Sequence, residues 1–184
     1  MEVTIQRTSI NESTLPMVAP TSLEGRACPI ARSLHHVGEW WSMMILRDAH
    51  HGLTRFDQFE QNLGIAPNTL TRRLKSLTAA GLLERRLYCE RPRRYEYILT
   101  PSGRDFAGVL NVLLTYGNRH FAPEGRSVMV IDSTTGQEVE PELVDRASGL
   151  PISDPRFRWA AGPAANDRIR NRYLMGPPRN GERQ

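Results

Sequence analysis

The chain is organised around residues 66–77, with the sequence APNTLTRRLKSL, which Gly81 follows. Pro67 suits the first position of a helix, where its missing N–H forfeits no hydrogen bond. Three leucines spaced four and three residues apart form one apolar stripe along such a helix: Leu70, Leu74 and Leu77. Gly81 is typical of the position just after a helix, because glycine tolerates a left-handed backbone. This segment therefore predicts an amphipathic helix.

The other side of this helix carries groups that suit contact with DNA. Guanidinium forks match guanine edges, hydroxyls and amides match other base edges, and cations attract phosphate. The helix residues predicted to contact DNA are Pro67, Asn68, Thr69, Thr71, Arg72, Arg73 and Lys75. A cationic face is also typical of a solvated surface helix, so the downstream segment has to decide between the two interpretations.

A β-hairpin is predicted directly downstream of the helix. Residues 83–89 and 95–99 alternate apolar with polar side chains, and a break that contains a proline separates them. Arg91, Arg93 and Arg94 make its tip cationic, and we predict that they hold phosphates or enter the minor groove. A helix followed by such a ribbon predicts a winged helix-turn-helix, with the helix in the major groove and the wing on the backbone or minor groove.

Positive charge is concentrated in the same region. Between Ala66 and Tyr95, eight cationic and two acidic side chains give a net charge of +6, whereas the whole chain carries +4. The remainder of the chain is therefore acidic. A positive field confined to the helix and the hairpin is typical of a phosphate-binding surface.

Several motifs resemble those of HxlR-type (DUF24) transcriptional regulators. They lie within residues 27–121 and are Cys28-Pro29-Ile30, Gly38-Glu39-Trp40-Trp41, Ile45-Leu46-Arg47-Asp48, Arg55-Phe56-Asp57-Gln58-Phe59, Leu70-Thr71-Arg72-Arg73-Leu74 and Arg94-Tyr95-Glu96-Tyr97-Ile98-Leu99-Thr100. The resemblance implies a bacterial winged-helix regulator that forms a homodimer through its terminal helices. A twofold-symmetric dimer would present two recognition helices about one DNA turn apart, to a pseudo-palindromic operator of double-stranded DNA.

Composition bears on the compartment. The 184 residues suffice for one domain and an appendage, and the hydrophobic content of 39% with a mean hydropathy of −0.47 is typical of a soluble protein. No run approaches the roughly 18 apolar residues of a membrane span, and residues 1–20 lack the apolar core of a signal peptide. We therefore expect a cytoplasmic protein without a membrane partner.

The expected fold is mainly α with a small β wing and a small β-hairpin appendage. Residues 1–26 are expected to form a flexible arm, residues 27–122 a winged helix-turn-helix domain with dimerising terminal helices, and residues 123–184 a C-terminal extension. In the extension, residues 128–141 and 143–152 repeat at an offset of thirteen, which predicts two tandem β-hairpins. The remainder is rich in Arg, Pro and Gly and is predicted to be a partly disordered tail.

Further helices are expected on either side of the central one. The first starts at Cys28, with Ile30, Leu34 and Val37 facing inward, and the second spans residues 39–49 as a largely buried helix that includes Trp40. The third is expected to be capped by Thr54 and Asp57, with Phe56, Phe59 and Leu63 on its apolar side. The last runs from Thr100-Pro101 to about His120 and is apolar enough to pair with its twin.

Cys28 is a candidate redox sensor. It directly precedes Pro29 at a helix amino terminus, where free N–H groups and the helix dipole favour a thiolate. The family resemblance implies that a cysteine at this position can sense quinones, aldehydes or oxidants. The alternative is a small buried apolar residue, which is how free cysteine usually behaves, and this alternative is the better account of Cys89.

Other candidate sites carry weaker signals. Trp40 and Trp41 are candidates for the wall of a pocket for a small aromatic effector, although core packing accounts for Trp40 more simply. Adjacent histidines on a helix diverge by about 100°, so the two histidine pairs predict no metal site. No nucleophile elbow or phosphate loop occurs, so we expect no enzyme activity and no cofactor. A cysteine-dependent enzyme and a protein–protein adaptor stay as alternatives, although neither requires the cationic wing.

Overall fold

The computed structural model describes residue 23 and residues 27–174 of the chain. The helices in this part are α1 (Pro29–Val37), α2 (Trp40–His50), α3 (Phe56–Leu63), α4 (Pro67–Ala79), α5 (Pro101–Asp105), α6 (Ala107–His120) and α7 (Asp167–Leu174). The strands are β1 (Leu83–Glu90), β2 (Arg93–Leu99), β3 (Val130–Ile131) and β4 (Glu138–Val139). The predicted arm over residues 1–26 lies, apart from Leu23, outside the described residues, as does the end of the predicted tail.

The central amphipathic helix is confirmed as α4. Leu70, Leu74 and Leu77 are completely buried, and Pro67 is the first helical residue. Gly81 has a φ of +70°, and the N–H of the next residue donates to the carbonyl of Leu77 at 3.0 Å. This is the glycine-dependent helix ending that the sequence predicts.

Helix α2 forms the centre of the core. Ile45 and Leu46 are completely buried and belong to one cluster with Phe59 and the leucines of α4. The prediction that Trp40 packs in the core is wrong, because 59% of Trp40 is exposed, whereas Trp41 packs against the core. Successive side chains of a helix point about 100° apart, so only one of two adjacent tryptophans faces the core fully.

The inward stripe predicted for α1 is wrong for a single chain. Val37 is buried, but Ile30 and Leu34 are 48% and 42% exposed. Val37 is the last residue of α1 and its only buried one. The earlier turns therefore extend past the core and leave an apolar face uncovered.

Helix α3 carries the predicted apolar side but a different cap. Gln58 Oε1 accepts hydrogen bonds from the backbone N–H groups of Thr54 and Arg55, at 3.0 and 2.9 Å. The predicted pair of Thr54 and Asp57 is wrong by one residue, because Arg55 is the residue that precedes the first turn. The third residue of the helix, whose side chain can accept a hydrogen bond from the backbone N–H of the capping residue, is consequently Gln58.

The wing is confirmed as an antiparallel hairpin of β1 and β2. Leu83 lies opposite Leu99 at its base, Glu90 lies opposite Arg93 at its tip, and a register irregularity falls between Leu87 and Cys89. The segment before α3 joins the base of this sheet, since the Tyr97 N–H donates to the Thr54 carbonyl at 2.7 Å. The wing is thus fixed directly beside the helix-turn-helix.

The last predicted helix of the domain is divided into α5 and α6. Thr100 caps α5 as predicted, accepting the Gly103 N–H at 3.0 Å. The Phe106 N–H donates to Gly103, three residues back, at 3.2 Å, which tightens the chain between the two helices. Gly103 allows α5 to lie against the wing base, because a Cβ there would come within 2.0 Å of the Leu82 carbonyl oxygen.

The C-terminal extension contains the predicted repeat in reduced form. β3 and β4 pair as a short hairpin, whereas the second unit has a single bridge between Val144 and Pro151. The two turns are built alike, because Gly136 N–H donates to the Asp132 carbonyl at 2.7 Å and Gly149 N–H donates to the Asp145 carbonyl at 2.8 Å. Backbone and side-chain donors of Thr134 and Thr135 lower the pKa of Asp132, and donors of Ser148 lower the pKa of Asp145.

Helix α7 lies where the sequence predicted only a partly disordered tail. The Arg170 guanidinium donates from Nε to the Ala165 carbonyl at 2.7 Å, and Ala165 is buried. The Ile169 N–H donates to the Asn166 side chain at 3.1 Å. These contacts order a segment whose composition alone gave no helical signal.

Candidate nucleic-acid interface

The face of α4 that points away from the core is polar, cationic and open to solvent. Asn68, Thr71, Arg72 and Lys75 are exposed, as Pro67 is at the start of the helix. Thr69 is partly covered. The leucine stripe therefore turns most of the predicted DNA-contacting residues towards solvent, where a duplex could reach them.

Arg73 does not lie on this exposed face. Only 18% of its side chain is exposed, and its Nε lies 3.2 Å from Glu39 Oε2 at the start of α2. Neither of these two buried atoms has a hydrogen bond, so the contact is an ion pair. With about 100° per helical residue, Arg73 lies beside Leu70 and Leu77, a position that the helical spacing alone could have revealed.

The wing tip presents three guanidinium groups to solvent. Arg91, Arg93 and Arg94 are all exposed, and none of them forms an ion pair with any residue that the structure describes. Side chains of this length can adjust to a phosphate backbone or a groove. The tip consequently keeps the positive charge that the sequence predicted for it.

The strands of the wing hold two further arginines in different ways. Arg86 is paired with Glu96 on the opposite strand, at 2.8 Å. The Arg85 guanidinium lies 3.4 Å from the ring centroid of Tyr95, in a cation–π contact that leaves its charge unneutralised. Register pairing decides this difference, because Arg86 lies directly opposite the carboxylate.

Ion pairing reduces the charge of the surface only partly. Of the eight cationic side chains between Ala66 and Tyr95, two are paired with carboxylates in the described part of the chain. Six of them form no ion pair with a carboxylate in that part of the chain: Arg72, Lys75, Arg85, Arg91, Arg93 and Arg94. They occupy one helix face and one hairpin.

Sequence reasoning missed Arg55 as a neighbour of the wing. Its guanidinium lies 4.8 Å from the ring centroid of Tyr88, and its backbone bridges to Glu96. The signal for this contact is non-local, since the loop before α3 joins the sheet only in the folded chain.

Cys28 precedes α1 and is half-buried. The backbone N–H groups of Ala31 and then Ile30, together with the positive charges of Arg172 and Arg32, lower the pKa of its thiol. Arg172 belongs to α7, so the C-terminal extension contributes to the environment of this thiol. Cys89 is also half-buried, and its Sγ lies 3.6 Å from the Arg91 carbonyl oxygen.

The two adjacent tryptophans do not leave room for a ring between them. The ring centroids of Trp40 and Trp41 are 3.7 Å apart, with an interplanar angle of 28°. Stacked rings at this spacing are already in contact. No ring can therefore enter between these two side chains, and a pocket with both of them in its wall stays a prediction.

Helices α1 and α6 expose a large apolar surface. In α6, Val109 and the residues three, four and seven positions after it are each about half exposed: Val109, Val112, Leu113 and Tyr116. None of the α6 residues is buried, and Phe121 just beyond is 73% exposed.

Within the described residues, no helix has both the length and the apolar character to cross a lipid bilayer.

These features define the class of the fold, which is a winged helix-turn-helix with a mainly helical body and a small antiparallel wing. The family model for the HxlR-like helix-turn-helix matches residues 36–125. An HTH-type transcriptional regulator from Mycobacterium tuberculosis, Rv3095, is 37% identical over 135 residues, covering 73% of this chain and 85% of the relative. A cyanobacterial HTH-type transcriptional regulator, from Synechocystis, is 36% identical over 95 residues, covering 51% of this chain and 70% of the relative.

Solved structures agree with this assignment. A candidate transcription factor from Pseudomonas aeruginosa, PA1374, is 50% identical with a TM-score of 0.58, covering 79% of this chain and 99% of that one. Another candidate transcription factor, PA1607, is 34% identical with a TM-score of 0.68, covering 77% of this chain and 100% of that one. The chain belongs to the HxlR-like helix-turn-helix family, as its motifs predicted. It is a transcriptional regulator of the helix-turn-helix type.

Proposed function

We propose that this protein regulates transcription as a homodimer that binds a pseudo-palindromic operator in double-stranded DNA, in the cytoplasm and without enzymatic activity. In this proposal α4 enters the major groove, where Asn68, Thr71 and Arg72 approach base edges. The wing arginines contact the phosphate backbone or enter the adjacent minor groove.

The observation that carries the proposal is the set of six cationic side chains on α4 and the wing whose charge no carboxylate of the described residues neutralises. An amphipathic helix with a solvated outer face would not require a second cationic element beside it. A helix and a neighbouring hairpin that are both cationic fit the combined groove and backbone contacts of a winged helix.

The exposed apolar faces of α1 and α6 support the homodimer. A stripe of half-exposed aliphatic and aromatic side chains is costly in water, at roughly 25 cal/mol for each Å² of apolar surface. A twin chain that covers the same stripe with its own would form an isologous interface. The proposal requires that two such chains present their α4 helices on the same side of the dimer.

The position of Cys28 supports a response to an electrophile or an oxidant. A thiol with a lowered pKa forms thiolate more readily, and thiolate is the form that reacts. Because Cys28 immediately precedes α1, modification of its sulfur would act directly on a helix of the proposed dimer interface.

The test is the binding of the purified full-length chain to DNA from the region upstream of its own gene. Fluorescence anisotropy should reveal saturable binding that is at least 1000-fold tighter than binding to scrambled DNA of the same length and composition. Arg72→Ala should reduce this ratio, because Arg72 reads bases in the proposal. Equal affinity for both DNAs over a range of salt concentrations would refute sequence-specific recognition at this region.

A further inference from the structure

A cavity of about 470 Å³ lies between the first turn of α1 and the segment that ends in α7. Its apolar walls are formed by Ile30, Trp159, Ile169 and Tyr173, with Cys28 and Arg172 also lining it. The volume falls within the range of about 300–1,000 Å³ that is typical of small-molecule sites. Each lining residue lies outside residues 36–125, which the family model matches.

Hydrogen bonds within the segment give the wall that α7 contributes a defined structure. Ala165, which also lines the cavity, is buried, and its carbonyl accepts the Arg170 Nε at 2.7 Å. The Asn166 side chain accepts the Ile169 N–H and so fixes the start of the helix. The opposite wall is α1 itself, so the cavity is bounded by two defined elements.

The chemistry of the lining selects one class of ligand. The Arg172 guanidinium lines the cavity, and no carboxylate does so among the described residues. Aromatic side chains supply flat apolar walls for a ring, and arginine binds carboxylates through parallel N–H donors.

We propose that this cavity is an effector site for a small aromatic acid, with its ring between Trp159, Ile169 and Tyr173 and its carboxylate on Arg172. This proposal rests on the proposed function, because it names the class of effector that the regulator senses. Ile30 belongs both to this cavity and to the exposed apolar face of α1. A bound acid would therefore contact the helix that is proposed to take part in dimerisation.

The site is tested by calorimetric titration of the full-length protein with 2-naphthoate and with the neutral 2-naphthamide. The acid should bind once per chain and at least tenfold more tightly than the amide. Arg172→Gln should weaken binding of the acid about tenfold and leave binding of the amide unchanged, because it removes one charge-assisted pair. Arg168→Gln is the matched control, since Arg168 is an exposed arginine of the same helix that does not line the cavity.

A second variant tests the apolar half of the site. Ile169→Trp should fill the cavity and abolish binding of both compounds, while circular dichroism verifies that the variant is folded. The proposal is overturned if the wild-type protein does not bind 2-naphthoate saturably at millimolar concentration. It is also overturned if Arg172→Gln and Arg168→Gln weaken the acid equally, which would indicate unspecific attraction of an anion.

Binding to operator DNA, with and without 2-naphthoate, separates this proposal from the proposed function. Operator binding without any binding of the acid would overturn the effector site and leave the regulator intact. Binding of the acid without any operator binding would support the cavity and overturn its role as an effector site. A change in operator affinity of at least threefold on addition of the acid, lost in Arg172→Gln, is the result that we expect.

Discussion

Replacing Arg73 with alanine should destabilise the protein, whereas replacing its neighbour Arg72 should weaken DNA binding. Both are arginines of the same helix, yet Arg72 is exposed and Arg73 is paired with Glu39 at 3.2 Å. Loss of Arg73 leaves the buried Glu39 Oε2 without a charged partner. Loss of an ion pair that is partly open to solvent costs about 0.2–1 kcal/mol.

The upper end of this range applies here, because only 18% of the Arg73 side chain is exposed. The side chain of Glu39 is 41% exposed, so it can turn partly into water and the pair is screened by solvent. We therefore expect Arg73→Ala to lower the free energy of unfolding by about 1 kcal/mol, which corresponds to a Tm lower by about 2–4 °C for a chain of this size. Arg72→Ala should change stability by less than about 0.5 kcal/mol and reduce specific DNA binding by about 1–3 kcal/mol.

The assay combines thermal unfolding with anisotropy on operator and scrambled DNA for both variants. Glu39→Gln is the matched control for the ion pair, and the double variant Glu39→Gln with Arg73→Ala should be no less stable than Arg73→Ala alone. The reasoning is refuted if Arg73→Ala keeps the wild-type Tm and loses operator affinity to the same extent as Arg72→Ala. That result would mean that Arg73 leaves Glu39 to contact DNA.

Four further outcomes are expected. Leu74→Ala, which empties a completely buried position of α4, should lower the free energy of unfolding by about 2–5 kcal/mol in denaturant titration. Arg93→Gln should weaken operator and scrambled DNA alike and reduce the slope of log K against log salt by about 1, whereas an unchanged slope would exclude a phosphate contact. Leu113→Lys should convert a dimer into a monomer in light scattering, because it places a charge in the exposed stripe of α6; an unchanged mass would exclude this face. The Ala31 N–H and the other groups that lower the pKa of Cys28 should keep its thiolate populated at a lower pH in the folded protein than in the unfolded chain. The pH at which iodoacetamide labels Cys28 at half its maximal rate should therefore rise on unfolding in guanidinium, and equal values in the two states would contradict the argument.

The helices, turns and strands that are decided by residues close together along the chain could be predicted from the sequence. The leucine spacing of α4, the glycine after it and the pattern that predicted the wing hairpin are local, and the structure contains the helix, its glycine ending and the hairpin. Local hydrogen bonding also explains why the Thr100 cap was predicted correctly. The same patterns gave results that were wrong by one residue in two places. At α3 the residue before the first turn is Arg55 and not Thr54. In α2 the tryptophan that packs against the core is Trp41 and not Trp40.

The extension illustrates a different limit. Its offset of thirteen predicted two similar turns, and matching backbone hydrogen bonds are present in both. Composition gave no signal for α7, because a helix rich in arginine is stabilised by what it packs against rather than by its own periodicity. The cavity beside Cys28 was equally hidden, since its two walls are separated by more than a hundred residues along the chain.

Sequence alone determined that this protein has a helix with a buried leucine stripe, because a periodicity of three to four residues decides which side of a helix meets water. It also determined the arginine-tipped hairpin, because two apolar runs on either side of a break that contains a proline predict paired strands. It also determined the family. The tertiary structure decided which charges on those elements remain available. Arg73 is neutralised by a carboxylate more than thirty positions earlier and Arg86 by one on the facing strand, since an ion pair depends on distance in space, which spacing along the chain does not encode.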